Sequence, residues 1–221
     1  MRRTRIKICC MQSEKEARLA IAAGADALGL VGTMPSGPGP IGDALIAAIA
    51  ARVPPPVATL LLTSETGAEA IFAHASRCRT NTLQLVDRVE PADYPRLRRA
   101  LPGIKLVQVV HVGGEAAVAE AIAAAAHADA LLLDSGRPHE PIKVLGGTGR
   151  THDWAISREI VDRAACPVFL AGGLRADNVT LAIQTVRPFG VDVCTGVRRA
   201  DYTLDPVKLE AFVAAVQATP V

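Results

Sequence analysis

Aromatic side chains are nearly missing from this sequence. Phe, Trp and Tyr make up 3% of 221 residues, although half of the chain is apolar, so the core has to be assembled mainly from Ala, Val, Leu and Ile. Net charge is also missing: 24 basic against 22 acidic side chains leave +2. That balance gives no electrostatic case for a nucleic-acid partner or an anionic membrane. Long apolar runs are absent as well. Residues 19–34 are interrupted by Asp26, and the Ala-rich run 116–133 by Glu120, His127 and Asp129, so no segment reads as membrane-spanning. The basic start, Met1 to Lys7, leads into too few apolar residues for a signal peptide. Five cysteines are an odd number without framework spacing, and adjacent Cys9 and Cys10 do not make a zinc motif. Reduced thiols in the cytoplasm are the expectation. No cluster of His, Cys or carboxylates offers a metal site, and neither metal nor cofactor is expected.

What the sequence has is alternation. Strands are predicted near 5–10, 26–32, 57–63, 82–87, 105–111, 129–135, 167–172 and 190–196, each followed by a stretch with helical spacing. Val179, Ala182, Ile183 and Val186 share one helix face, as do Leu209, Phe212, Val213 and Val216. Ser13 with Glu16 has the spacing of a capping box, and Asp205 before Pro206 supplies an N-cap with proline at the first helical position. Ala25-Asp26-Ala27-Leu28 is echoed at Ala128-Asp129-Ala130-Leu131. Eight units of about 25 residues, with no change of composition between them, predict a single α/β domain over 1–221, a (β/α)8 TIM barrel. A doubly wound open sheet would carry a glycine-rich turn after its first strand, and here that turn reads Cys10-Met11-Gln12-Ser13. The two longest connections, 33–41 and 136–151, both leave the C-terminal ends of strands, where barrels build active sites.

Strand parity selects the residues that face the barrel axis. Ile6 and Ile8 suit the helix layer, which turns Lys7 and Cys9 inward; by the same rule Gln84, Asp134, Asp192 and Cys194 face in. Lysine and carboxylates are rarely buried without partners, and Lys7 with Asp192 reads equally well as a structural ion pair. Cys10, on the opposite parity, is expected to be a small buried hydrophobe, and Cys78, Cys166 and Cys194 to be structural. His111 reads as a supporting group whose register the pattern leaves open. His152 and Trp154 either line the pocket or anchor the long loop. Glycine clusters point to an anion. Gly172 and Gly173 end the seventh strand, and Thr195-Gly196 ends the eighth, the two places where phosphate-binding barrels offer backbone N–H groups. Gly146-Gly147-Thr148-Gly149 reads as a second anion nest or a lid.

Taken together, these stretches resemble the phosphoribosylanthranilate isomerase family of tryptophan biosynthesis over nearly the whole chain. Lys7-Ile8-Cys9 resembles its opening motif, followed by Ala23-Gly24-Ala25-Asp26-Ala27-Leu28-Gly29. Leu131-Leu132-Leu133-Asp134, then Gly146 to Trp154, resemble its sixth strand and following loop. Leu170-Ala171-Gly172-Gly173-Leu174 and Gly190-Val191-Asp192-Val193 complete the likeness. The resemblance implies a cysteine base at Cys9, an aspartic acid at Asp134, a phosphate site at Gly172, Gly173 and Gly196, and substrate-side positions at Gln84 and Asp192. It implies an Amadori rearrangement of a phosphorylated aminoaldose, a small-molecule phosphosugar being the partner. Three departures stand out. The family's Ser-Pro-Arg after the second strand, whose arginine engages the anthranilate carboxylate, is replaced by Ser36-Gly37-Pro38-Gly39. Leu-His-Gly after Gln84 is replaced by Leu85-Val86-Asp87, and the glycine after the first cysteine by Cys10. Phosphoribosylanthranilate is therefore expected to be used with a raised KM unless Arg137 or Arg150 swings in, and an arginine introduced at Gly37 or Gly39 is expected to lower that KM. Catalysis on another phosphosugar, or binding without turnover, stays open beside the isomerase reading.

Overall fold

The structure, a computed structural model, describes residues 3–37, 39–136 and 151–220. Strands and helices alternate: β1 (Arg5–Ile8), α1 (Glu14–Ala23), β2 (Ala27–Val31), α2 (Asp43–Ala50), β3 (Ala58–Thr63), α3 (Ala68–Cys78), β4 (Thr82–Leu85) and α4 (Asp93–Ala100). The second half continues with β5 (Lys105–His111), α5 (Ala116–Ala125), β6 (Ala130–Asp134), α6 (Trp154–Arg163), β7 (Val168–Leu170), α7 (Val179–Val186), β8 (Gly190–Val193) and α8 (Pro206–Gln217). Neighbouring strands pair in parallel in sequence order, and β8 returns to β1, so the sheet closes into the expected (β/α)8 barrel. Among the described residues, no helix is long and apolar enough to cross a membrane.

Local chemistry starts and stops the helices. Ser13 Oγ accepts from the Glu16 N–H at 3.2 Å, and left-handed Gly24 ends α1. The capping box closes differently from the expectation: the Glu16 carboxylate accepts from the N–H groups of Gln12 (3.1 Å) and Leu204 (2.9 Å), because it is also paired with the Arg198 guanidinium after β8. Asp205 caps α8 as expected, with Pro206 in the first turn.

Alternation along each strand produces two apolar layers. Ile6, Ile8, Leu83, Leu85, Leu131, Leu133, Val191 and Val193 pack outward against helix residues such as Ile183 and Phe212. Ala27, Val31, Leu60, Leu62, Val107, Val109 and Leu132 fill the barrel interior with Cys9. Each fully buried aliphatic side chain stabilises by about 1.5–3 kcal/mol, and truncating fully buried Leu61 to Ala would cost about 2–5 kcal/mol. β1, β7 and β8 end earlier than their apolar runs suggest, so Cys9, Cys10, Gly172 and Cys194 lie just beyond strand ends at the C-terminal mouth.

Candidate active site at the barrel mouth

Closing β8 onto β1 sets Lys7 opposite Asp192 in the ladder, and the Lys7 ammonium donates to Asp192 Oδ2 at 2.8 Å. Lys7 is fully buried. Burial alone would weaken the ammonium, but the Asp192 carboxylate and the neighbouring Cys9 outweigh it, and Lys7 stays charged. Burial pushes the Asp192 carboxyl up, with Lys7 opposing. Asp192 Oδ1 is buried without a hydrogen-bond partner among the described residues. One residue beyond the end of β1, the Cys9 N–H donates to Val193 O at 2.8 Å, and the side chain is 5% exposed. Gly29 makes room for it: a Cβ there would lie 2.6 Å from Cys9 Sγ and 3.1 Å from Lys7 Nζ. A glycine inside an otherwise aliphatic strand was the available signal of such close approach.

Cys10 corrects the parity argument, whereas Cys194 packs against the inner cluster as parity placed it. Cys10 has φ +65°, which takes it out of strand alternation and into the inner cluster with Cys9. The Cys194 thiol meets Cys10 Sγ at 2.6 Å. That contact and the bond to Cys9 push the Cys10 thiol well up, so it stays protonated. Cys9 is displaced the other way: the hydrogen bond from Cys10 lowers its pKa, burial opposes, and the Lys7 ammonium adds to the lowering. Both cysteines expected to be inert packing therefore touch, directly or through one neighbour, the thiol at the mouth.

Asp134 ends β6 half-buried. Burial raises its pKa, partly offset by the Ser135 N–H, which donates to Oδ1 at 2.7 Å, and by His111. His111 stands opposite Asp134 in the ladder, on the inward register of Val107 and Val109. Its Nε2 bonds Val86 O at 3.0 Å, while Nδ1 is buried without a partner among the described residues. Gln84, 4% exposed on β4, likewise has an unpartnered Oε1.

The two glycine turns are in contact. Gly172 and Gly173 are left-handed (φ +83° and +63°), and a Cβ on Gly196 would lie 2.0 Å from Leu174 O. Glycine at 196 thus lets the loop after β8 lie directly on the loop after β7. Asn178 secures the first turn, donating to Gly173 O at 3.0 Å and accepting from the Arg175 N–H at 2.8 Å. Thr195 opens a short 3-10 turn, Thr195–Val197. A Cβ on Gly172 would come 3.3 Å from Asp134 Oδ1 and 3.1 Å from His152 Nδ1, so this cradle borders the acid. His152 combines both of its expected roles: Nε2 bonds Ser157 Oγ on α6 at 2.7 Å, and buried Nδ1 faces Gly172. Burial lowers its pKa to about 4, which keeps the ring neutral.

Residues Gly146 to Arg150, with Arg137, lie outside the described residues. In the loop after β2, Gly37 and Gly39 are both left-handed (φ +92° and +95°), and a Cβ on Gly39 would meet Cys10 Cβ at 2.9 Å. Both are therefore poor positions for an introduced arginine; Ser36, outside the left-handed region, is better. Contrary to the sequence expectation, the fold does gather Asp43, His74 and Cys78 between α2 and α3. There His74 bonds Asp43 and Thr63, Arg77 donates to Asp43 at 2.6 Å, and burial pushes the Cys78 thiol to about 12. Each group already has a protein partner.

A closed parallel barrel with ionisable side chains set around its C-terminal mouth has the form of a (β/α)8 enzyme. Which one follows from the length of the chain rather than from the mouth alone. Residues 6–215 match the sequence model of the N-(5'-phosphoribosyl)anthranilate (PRA) isomerase family, and the chain belongs to that family. The N-(5'-phosphoribosyl)anthranilate isomerase of Chromohalobacter salexigens is 39% identical over 222 residues, covering 99% of this chain and 97% of its own. The phosphoribosyl anthranilate isomerase of Thermotoga maritima superimposes with a TM-score of 0.81 at 30% identity, over 96% of this chain and 98% of that one. Another such isomerase, with a TM-score of 0.79 at 27% identity over 96% and 98%, was solved in complex with reduced 1-(o-carboxyphenylamino)-1-deoxyribulose 5-phosphate.

Proposed function

We propose that this chain isomerises N-(5'-phosphoribosyl)anthranilate, with Cys9 as general base and Asp134 as general acid. The observation that carries the reading is the opposite displacement of two groups at one mouth: Cys9 toward thiolate, Asp134 toward the neutral acid. Neutral Asp134 gives its proton to the ring oxygen as the C1′–O bond breaks, and the nitrogen lone pair forms the C=N bond. The Cys9 thiolate then takes the proton from C2′, and the released electron pair forms the enolamine, which tautomerises to the ketone. Lys7, held by Asp192, keeps positive charge beside the thiolate. The unpartnered oxygens of Gln84 and Asp192 are acceptors suited to sugar hydroxyls. The backbone around Gly172, Gly173, Thr195 and Gly196 suits the phosphate, since two left-handed glycines and a loop laid against them expose N–H groups to an anion. A cytoplasmic site of action fits the five free thiols.

The loop after β2 carries no arginine, and this favours a second reading in which the same chemistry serves another phosphosugar. Complementation of a tryptophan auxotroph lacking the isomerase, followed by steady-state assay, separates the two. Growth is expected, with a KM that Ser36→Arg lowers. No turnover by either protein, with Cys9 and Asp134 intact, would transfer the case to the other substrate.

A further inference from the structure

A buried polar network at the mouth is centred on a residue given no role above. Arg198, at the end of the 3-10 turn after β8, is 3% exposed. Its Nη2 donates to Cys9 O at 3.1 Å and also to Cys10 O, while Nη1 donates to Tyr202 O at 2.6 Å. Glu16 pairs with both nitrogens, Oε2 lying 3.2 Å from each. The remaining capacity of that carboxylate is taken by the N–H groups of Gln12 and Leu204. One buried ion pair thus ties the turn after β1 to the loop after β8, across 182 residues of sequence.

That turn carries an unusual burden. Cys10 occupies the left-handed region at φ +65°, where a side chain is disfavoured and glycine is not. It does so directly after Cys9. The Cys9 peptide is held on its N–H side by Val193 O, an ordinary ladder bond. On its carbonyl side the ladder has ended, and the guanidinium takes over.

We propose that Arg198 is a positioning residue for the reaction: by gripping the carbonyls of Cys9 and Cys10 it holds the left-handed turn that aims the Cys9 side chain. The grip does what a glycine after the cysteine would do by itself. Glu16 serves by keeping the guanidinium buried and oriented. This inference rests on the proposal that Cys9 is the base, and it assigns Arg198 a geometric effect, not one on the ionisation of Cys9.

The test compares Arg198→Lys in two backgrounds, the native chain and Cys10→Gly. Lysine keeps the charge opposite Glu16, but one ammonium cannot also hold both carbonyls. All comparisons are made on the plateau of each protein's own pH profile. In the native background R198K is expected to lower kcat about 30-fold, with KM changed less than 3-fold and both limbs of the profile unmoved. In the Cys10→Gly background the same substitution is expected to lower kcat less than 3-fold relative to C10G alone, because glycine holds the turn unaided. Equal losses in both backgrounds, or no loss in the native one, would overturn the proposal. If R198K fails to fold in the native chain, the Cys10→Gly background decides: a folded R198K/C10G with kcat near that of C10G supports positioning, and an unfolded one reduces Arg198 to a structural role. Cys9→Ala serves as the control for the underlying reading. A C9A protein that keeps full turnover removes the base assignment itself, whereas inactive C9A with an insensitive Arg198 removes only this inference.

Discussion

Two aspartates at opposite ends of β6 lead opposite lives. Asp129 precedes β6 at the N-terminal end of the barrel, and Asp134 closes the same strand at the mouth. Asp129 accepts from the Leu106 N–H at 2.9 Å and is flanked by Arg98 and Lys105, each at 3.2 Å. Burial there is outweighed by these donors, and its pKa falls. At Asp134 burial wins, and its pKa rises. The echo of Asp129 is bonded in the same way at the other side of the barrel: Asp26 accepts from the Ile6 N–H at 2.9 Å and pairs with Arg3 and Arg5. One end of the barrel satisfies its carboxylates and staples strands together. The other, among the described residues, leaves Gln84 Oε1, His111 Nδ1 and Asp192 Oδ1 without partners and shifts the Cys9 and Cys10 thiols in opposite directions.

The sharpest way to break this contrast is to neutralise the acid at the mouth. Asp134→Asn and Cys9→Ala should each lower kcat by about 10²–10⁴-fold while thermal unfolding shows an intact fold; a D134N protein that loses stability but keeps its kcat would place Asp134 in the same class as Asp129. Next in size is the buried pair. Lys7→Met strands the Asp192 carboxylate in the interior and should cost about 3–5 kcal/mol in denaturant unfolding, with a smaller loss when Asp192→Leu is added.

A smaller effect is expected at the opposite end. Asp129→Asn should cost about 1 kcal/mol of stability and leave kcat unchanged. Because the folded pKa of Asp129 lies below its unfolded value, its contribution is complete above roughly pH 4 and fades as pH falls through the folded pKa. Native and D129N proteins should therefore converge in acid, and a constant difference at all pH values would refute the linkage. Smallest is Cys10→Ala. The pH profile of kcat should carry two limbs, one set by the ionisation of Cys9 and the other by that of Asp134. Removing the Cys10 thiol deletes a hydrogen-bond donor to the thiolate, so the limb that reports Cys9 should move to higher pH while the other stays in place. Two unmoved limbs would show that Lys7 alone holds Cys9 down.

Much of the mouth was legible because a strand has a period of two. Lys7, Cys9, Gln84, Asp134 and Asp192 needed only that rule and the outward aliphatics beside them. His111 was within reach of it too, since Val107 and Val109 share its register and face inward. The rule failed just past β1, where Cys10 turns left-handed and parity no longer applies. Arg198 gave no local signal at all. In sequence it is one of two adjacent arginines after a glycine turn, and such residues are ordinarily solvated.

Number and order of the βα units, the helix caps at Ser13 and Asp205, and the inward face of each strand were determined by the sequence alone, because each depends on residues a few positions apart. Which inward groups meet was decided only by closure of the barrel. Closure sets Lys7 against Asp192, lays Cys194 on Cys10 and carries Arg198 into a carboxylate on α1. Those contacts span more than 180 residues of chain, beyond the reach of any local propensity. Their strength comes from the low dielectric of an interior that exists only once β8 has paired with β1.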